Sequence, residues 1–245
     1  MQSDLYASII KQKKAKKKQF ALLIDPDKFD STDEIIKLAH KAKVDFFMVG
    51  GSIITSGNFE KCILTLKKRS NIPVIIFPGN TLQINKHADG ILFLSLISGR
   101  NPELLIGNQV IAAPIIRSAD LEVLPTGYML IDGGNSSTTS YISNTTPIPY
   151  DKNEIAMCTA IAGEMLGLKL IYMDAGSGAQ NCISKSMIKL VSSNIDIPLI
   201  IGGGINTPEK AIAACKSGAD IIVVGNAVEK DASLIEIMAK AIHTF

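Results

Sequence analysis

The feature that most constrains this chain is a series of eight short, almost continuously apolar segments, most of them followed by a stretch patterned for a helix. They fall at residues 20–25 (FALLID), 45–50 (DFFMVG), 73–77 (PVIIF), 90–95 (GILFLS), 127–132 (GYMLID), 169–174 (KLIYMD), 197–201 (IPLII) and 220–225 (DIIVVG). Segments rich in β-branched residues and lacking a polar face read as strands buried on both sides, as in parallel sheets covered by helices. Helical patterns lie between them at 31–43, 57–69, 102–107 with a continuation beyond, 151–166, 183–193, 207–217 and 231–243. Ser31 with Glu34, and Thr207 followed by Pro208, supply helix starts. Eight such units in 245 residues specify the α/β class and a TIM-type (β/α)8 barrel filling residues 1–245 as one domain. An open doubly wound sheet is the other topology that the alternation permits.

Two segments depart from a regular barrel. Only residues 78–89 (PGNTLQINKHAD) separate the third and fourth strands, too few for a helix and two loops, so an outer helix should be missing and a groove left along the wall. Residues 133–150 form a long polar segment after strand five, on the catalytic side, where a mobile lid is expected.

Charge narrows the partners. Residues 11–18 (KQKKAKKK) hold six of the 25 basic residues, leaving 19 bases against 23 acids elsewhere. The run reads either as attraction to anionic lipid or nucleic acid, allowing transient contact with a membrane surface, or as a solvated helix face leading into the first strand; the second is favoured. A nucleic-acid binder would spread its charge over a face and offer stacking aromatics, but the chain has no Trp and 5% aromatic residues, so no nucleic-acid partner is expected. Cys62, Cys158, Cys182 and Cys215 show no metal-binding spacing and read as reduced thiols. With no signal pattern and no long apolar run, a cytoplasmic protein is expected. His40, His87 and His243 lie near no motif.

The chemistry-bearing motifs sit at strand ends. Gly202-Gly203-Gly204-Ile205-Asn206 follows strand seven and Gly225-Asn226 follows strand eight, where barrels often bind phosphate through backbone N–H groups and a helix N-terminus. Strand six ends in Tyr172-Met173-Asp174-Ala175-Gly176-Ser177-Gly178. Side chains alternate along a strand, so Tyr172 and Asp174 share one face and Met173 takes the other, bringing a phenol and a carboxylate beside the phosphate loops. Strand one ends in Asp25-Pro26-Asp27-Lys28, and Gly50-Gly51-Ser52 follows strand two. A carboxylate there suits Mg2+, which takes one or two carboxylates and completes its shell with phosphate and water. Each motif also has a plain reading as turn chemistry or a helix cap.

Taken together, LIDPDK at 23–28, VGGS at 49–52, PIPYDKNEIA at 147–156, YMDAGSGA at 172–179, GGGI at 202–205 and GNAVE at 225–229 closely resemble the geranylgeranylglyceryl phosphate synthase family, most of all its second group. The bacterial branch of that family includes the PcrB-type heptaprenylglyceryl phosphate synthases. The resemblance runs through nearly the whole chain and implies a modified barrel lacking the third outer helix. It implies a prenyltransferase of phospholipid biosynthesis, moving a geranylgeranyl group from geranylgeranyl diphosphate, or another long prenyl diphosphate, to the sn-3 hydroxyl of sn-glycerol 1-phosphate. By motif, Asp25 and Ser52 would bind Mg2+. Tyr172, Met173, Asp174, Ala175, Gly176, Ser177 and Gly178, with Gly203, Gly204, Gly225 and Asn226, would bind glycerol 1-phosphate, Asp174 and Tyr172 being catalytic. Asp174 stands where the family usually has a Glu, one methylene longer, and Leu23 stands where many archaeal members place a Lys. The resemblance also implies a homo-oligomer, dimer or hexamer. Two rivals stay open on the residues alone: a phosphate-binding barrel isomerase or lyase, and a barrel that keeps its phosphate loops as a ligand sensor.

Overall fold

A computed structural model describes residues 4–29, 33–55 and 57–245, and in it eight parallel strands close on themselves in sequence order. They are β1 (Gln19–Ile24), β2 (Phe46–Val49), β3 (Val74–Ile76), β4 (Gly90–Leu96), β5 (Glu122–Leu130), β6 (Leu170–Asp174), β7 (Leu199–Gly202) and β8 (Ile221–Val224). β8 pairs with β1 from Gln19↔Ile221 to Leu22↔Val224, so the sheet has no free edge, and the open doubly wound alternative falls.

The helices are α1 (Leu5–Lys14) ahead of β1, α2 (Asp33–Ala42), α3 (Phe59–Arg69), α4 (Asn108–Ser118), α5 (Thr138–Ser143), α6 (Asn153–Met165), α7 (Lys185–Ser192), α8 (Pro208–Ser217), α9 (Asn226–Lys230) and α10 (Leu234–Ile242). None lies between β3 and β4, as the short 78–89 connection requires. Thr207 caps α8, with Pro208 at its first position, as expected. The start expected at Ser31 lies outside the described residues. The helix expected near 102–107 is a π-helical turn at Glu103–Gly107 running straight into α4. β5 begins five residues earlier than the apolar run suggested, pairing Glu122 with Gly90.

Alternation along the strands separates two cores. Phe20, Leu22 and Ile24 of β1 join an outer cluster under the helices. Ala21 of β1 joins an inner cluster with Phe46, Met48, Leu124, Tyr172 and Ile200 that fills the barrel. Both faces of each strand are therefore buried in apolar surroundings, which is why the sequence shows apolar runs instead of period-two patterns.

The N-terminal end of the barrel is plugged by α1. Leu5 and Ile9 belong to the inner cluster, and a Cβ on Gly90 would sit 2.6 Å from Leu5 Cδ1, so glycine makes room for the plug. The Glu122 carboxylate accepts from the N–H groups of Leu5 and Tyr6 at 2.6 and 2.8 Å, satisfying the first turn of α1. Lys13 and Lys18 pair with Asp220 at 2.8 and 3.5 Å, while Lys11, Lys14, Lys16 and Lys17 point to solvent. The basic run is thus a solvated helix and its continuation at the closed end, remote from the strand C-termini.

Candidate active site

At the open end a single cavity of about 620 Å³ gathers the C-terminal ends of the strands. Asp25, Ser52, Tyr172, Asp174, Gly176, Ser177, Gly178, Gly203, Gly204, Gly225 and Asn226 all line it. Motifs from β1, β2, β6, β7 and β8 therefore share one space. Met173 and Ala175 do not line it: Met173 alternates away from Tyr172 and Asp174, and both side chains pack in the outer cluster. The stretch 172–178 meets the cavity only in part, for the reason that strand alternation demands.

Asp174 is the acid of this mouth, 8% exposed. Its Oδ2 accepts from the Tyr128 hydroxyl at 2.6 Å and its Oδ1 from the Gly176 N–H at 2.8 Å. Burial holds the carboxyl above its ordinary range, and the two hydrogen bonds only partly offset this by stabilising the charged form. Tyr128 is held well above the usual phenol range by burial and by the Asp174 charge, so it stays a donor. Tyr172 is raised for the same two reasons. It shares the face with Asp174 as expected, but Tyr128 on the neighbouring strand is the residue that orients the acid. Thr139 of α5 lies beside Tyr128, where it eases the upward shift of the phenol, and its Oγ1 lies 3.2 Å from Ser52 Oγ, so α5 stands between the loop after β2 and the acid.

An anion cradle adjoins the acid. Gly203 and Gly204 adopt φ of +79° and +68°, a region that L side chains avoid. A Cβ on Gly203 would also lie 2.7 Å from Asp174 Oδ1, Ala175 N and Gly176 N, so the β7 loop packs directly on the β6 loop. Asn226 Nδ2 donates to Ser177 Oγ at 2.8 Å, tying the β8 loop to the same place. Backbone N–H groups in such loops suit a phosphate dianion.

Across the cavity, Asp25 caps a short 3-10 turn, Pro26–Lys28, and accepts from Asp27 N at 3.1 Å. Lys28 Nζ bridges Asp25 Oδ2 and Glu229 Oε2 at 3.1 Å each. Asp27 is engaged elsewhere, accepting from the Thr55 N–H and hydroxyl at 2.6 and 2.8 Å. Gln83, 3% exposed, donates to Gly51 O at 2.8 Å and accepts from Gly79 N at 3.0 Å, stitching the loop after β2 to the connection after β3. Nothing in its sequence context marked it. No group of three or more His, Cys, Asp or Glu side chains able to hold a metal occurs among the described residues. A cation here would rest on one carboxylate, a hydroxyl and oxygens of a bound ligand, a donor set that Mg2+ accepts.

The remaining arm is apolar. Leu92, Leu94 and Leu96 line the cavity from β4, and so do Ile91, Ala112 and Ile116, which belong with the outer cluster. The cavity therefore reaches both faces of β4, passing the wall where the outer helix is missing. Pro78, Gly79, Asn80, Thr81 and Ile84 of the 78–89 connection form its rim. Residues 133–150 fold in part as α5, closed by a Ser137/Ser140 capping box, and Thr138, Thr139 and Ile142 cover the cavity.

Among described residues, no helix is long and apolar enough to cross a membrane. The geranylgeranylglyceryl phosphate synthase of Chitinophaga pinensis is 54% identical to this chain over 246 aligned residues, 99% of this chain and 97% of its own length. The enzyme of that name from Korarchaeum cryptofilum is 39% identical over 222 residues, 90% of this chain and 91% of its own. The crystal structure of (S)-3-O-geranylgeranylglyceryl phosphate synthase from Thermoplasma acidophilum in complex with substrate sn-glycerol-1-phosphate superposes with a TM-score of 0.91 at 32% identity, over 100% of both chains. Thiamine phosphate pyrophosphorylase from Pyrococcus furiosus, at a TM-score of 0.59 and 14% identity, shares the fold alone. The PcrB family model matches residues 11–244, and with relatives this similar over their whole length, the chain belongs to the PcrB family.

Proposed function

We propose that the protein is a prenyltransferase that joins a geranylgeranyl group from geranylgeranyl diphosphate to the sn-3 hydroxyl of sn-glycerol 1-phosphate, forming an ether phospholipid precursor. The observation that carries this reading is a buried acid pressed against an anion cradle inside a cavity whose other arm is apolar. Glycerol 1-phosphate would seat its phosphate on the Gly176–Gly178, Gly203–Gly204 and Gly225–Asn226 loops and turn its free hydroxyl toward Asp174. Asp174 accepts the hydroxyl proton as the new C–O bond forms, held in place by Tyr128 and the Gly176 N–H. Both substrates held in one cavity make the attack effectively intramolecular. Bound by Asp25 beside the Ser52 hydroxyl, Mg2+ would neutralise charge on the departing diphosphate. Lys28 would have to yield its hold on Asp25 when the cation binds.

The apolar arm suits the prenyl chain. Burial of a 20-carbon chain at ~0.8 kcal/mol per methylene contributes on the order of 10 kcal/mol, so a long groove is needed, and the wall open beside β4 supplies one. Bulky substitutions along residues 78–96 should shorten the chain accepted. A homo-oligomer, dimer or hexamer, belongs to the same reading. It is supported by Ile106, Val110, Ile111 and Ile115, all at least half exposed on and beside α4, and light scattering checks it.

The test offers C15, C20 and C35 prenyl diphosphates together with sn-glycerol 1-phosphate and Mg2+, and weighs the lipid product. An ether carrying C20 supports the proposal. A folded protein that forms no ether favours an isomerase or lyase, although Lys28 is tied to Asp25 and Glu229 rather than free to form a Schiff base. A protein that binds glycerol 1-phosphate without turnover favours a sensor.

A further inference from the structure

Three aromatic rings meet beneath the site, and the reaction proposed above assigns a task to only one of them, Tyr128. Phe77 follows β3, Tyr128 lies in β5 and Tyr172 in β6, and all three line the cavity. Phe77 stacks on Tyr172 with centroids 5.0 Å apart and planes at 27°. Tyr128 meets both edge-on, at 5.9 Å from Phe77 and 5.5 Å from Tyr172. Tyr172 is 1% exposed under the stack, whereas Phe77 is only partly buried, so Phe77 is the upper ring of the stacked pair.

Its position spans the cavity. The Phe77 N–H donates to Val49 O at 2.9 Å, and a Cβ on Gly50 would collide with the Phe77 carbonyl at 1.8 Å. The backbone of Phe77 thus lies against the loop that carries Ser52, while its ring reaches Tyr172, two residues before Asp174. The ring therefore crosses from the β2 side of the cavity to β5 and β6, the strand that ends in Asp174.

Prenyl transfer makes a demand at this interval. The bond between the allylic carbon and the diphosphate oxygen breaks, and its electron pair leaves with the diphosphate. The hydroxyl oxygen of glycerol phosphate then bonds to that carbon, and its proton passes to Asp174. Between these events the allylic carbon is positively charged, on the path from the diphosphate to the hydroxyl. An aromatic face stabilises such a charge through its quadrupole, most strongly where water is excluded.

We infer that the ring of Phe77 is a charge-stabilising face for the allylic cation, a further catalytic group supplied by the residue that follows β3, just ahead of the connection that replaces the missing outer helix. The inference rests on the transferase reading above. The Tyr172 phenol, stacked below, supports the ring and supplies electron density from beneath.

The test replaces Phe77 site-specifically with phenylalanines carrying one, two, three and five ring fluorines, which drain the π face at nearly constant shape. Each variant is measured by the single-turnover rate of ether formation, by the Kd for geranylgeranyl diphosphate and by melting temperature. The expected result is a stepwise fall in the chemical rate, totalling about 10- to 30-fold by the last member, with Kd and melting nearly level. Phe77→Leu should lose at least as much rate as the pentafluoro variant. A rate independent of fluorine count, with Phe77→Leu still impaired, assigns the ring to packing and overturns the inference while leaving the transferase intact. An unsubstituted protein that makes no ether removes the transferase reading, and this inference with it.

Discussion

Asp174 and Asp220 are the same side chain, equally buried at 8% and 7% exposure, at opposite ends of one barrel. Asp220, at the closed end, is met by Lys13 and Lys18 and accepts from the Leu199 N–H at 3.0 Å. Asp174, at the open end, is met by a phenol and a backbone N–H, and by no cation among the described residues. A buried carboxylate surrounded by positive partners is a fastening. Held instead by neutral donors, it carries a desolvation cost that the fold relieves only in part, and its protonation state becomes available to chemistry. The closed end spends its polar groups on anchoring α1, and the open end keeps its acid ready for a substrate.

The most severe way to break this contrast is to neutralise each acid and read both turnover and stability. Asp174→Asn should lower ether formation by about 10²- to 10⁴-fold while glycerol 1-phosphate binding, measured calorimetrically, stays within a few-fold. If turnover is indifferent to this change, Asp174 is not the proton acceptor. Next in size, Gly203→Ala forces a side chain into φ +79° and against the β6 loop. It should weaken glycerol 1-phosphate by about 2–3 kcal/mol, roughly 30- to 150-fold in Kd, and disturb melting less than binding.

Asp220→Ala sharpens the other half. It leaves the Leu199 N–H without its side-chain acceptor and two partly exposed lysines without their partner. The expected cost is about 1–2 kcal/mol of stability, read by denaturant titration, with turnover per folded molecule unchanged. A fall in kcat as large as that of Asp174→Asn would mean that the two ends are not separate in function.

The smallest effect is the pH response of Asp174. Because the Asp174 carboxyl is raised by burial, the folded state holds its proton more tightly than the unfolded chain does. Its contribution to stability is complete below the unfolded value and is lost as pH rises through the folded one. Asp174→Asn should therefore melt higher than the parent near neutrality, with the advantage fading in acid. In the same window the parent's transfer rate should fall as pH drops through a value above the ordinary carboxylate range. A rate profile with its acid limb at an unshifted carboxylate would sink this account of the site.

The strands and the missing helix were legible because they depend on local periodicity and length. Apolar runs bounded by turn residues mark β1 to β8, and 78–89 is too short to hold a helix whatever surrounds it. The Gly203-Gly204 pair after β7 and the single Gly225 after β8 were legible for a similar reason, since backbone shape is written in the residue itself. Tyr128 was not. It lies opposite Tyr172 in the β5–β6 register, so two phenols face the same interior, and only their height and tilt decide which one reaches Asp174. Gln83, the plugging of the barrel by α1 and the short helix over the cavity were hidden likewise, because each is defined by contacts between distant segments.

The amino-acid sequence by itself determined the number and order of the strands, the gap in the outer layer and the residue types gathered at the strand ends. Only the tertiary structure decided which of them share a cavity, which acid receives a cation and which a phenol, and which aromatic rings stack in the barrel mouth. Spacing along a strand selects a face, but closure of the barrel sets how far neighbouring strands are staggered. That stagger fixes which side chains meet at the top.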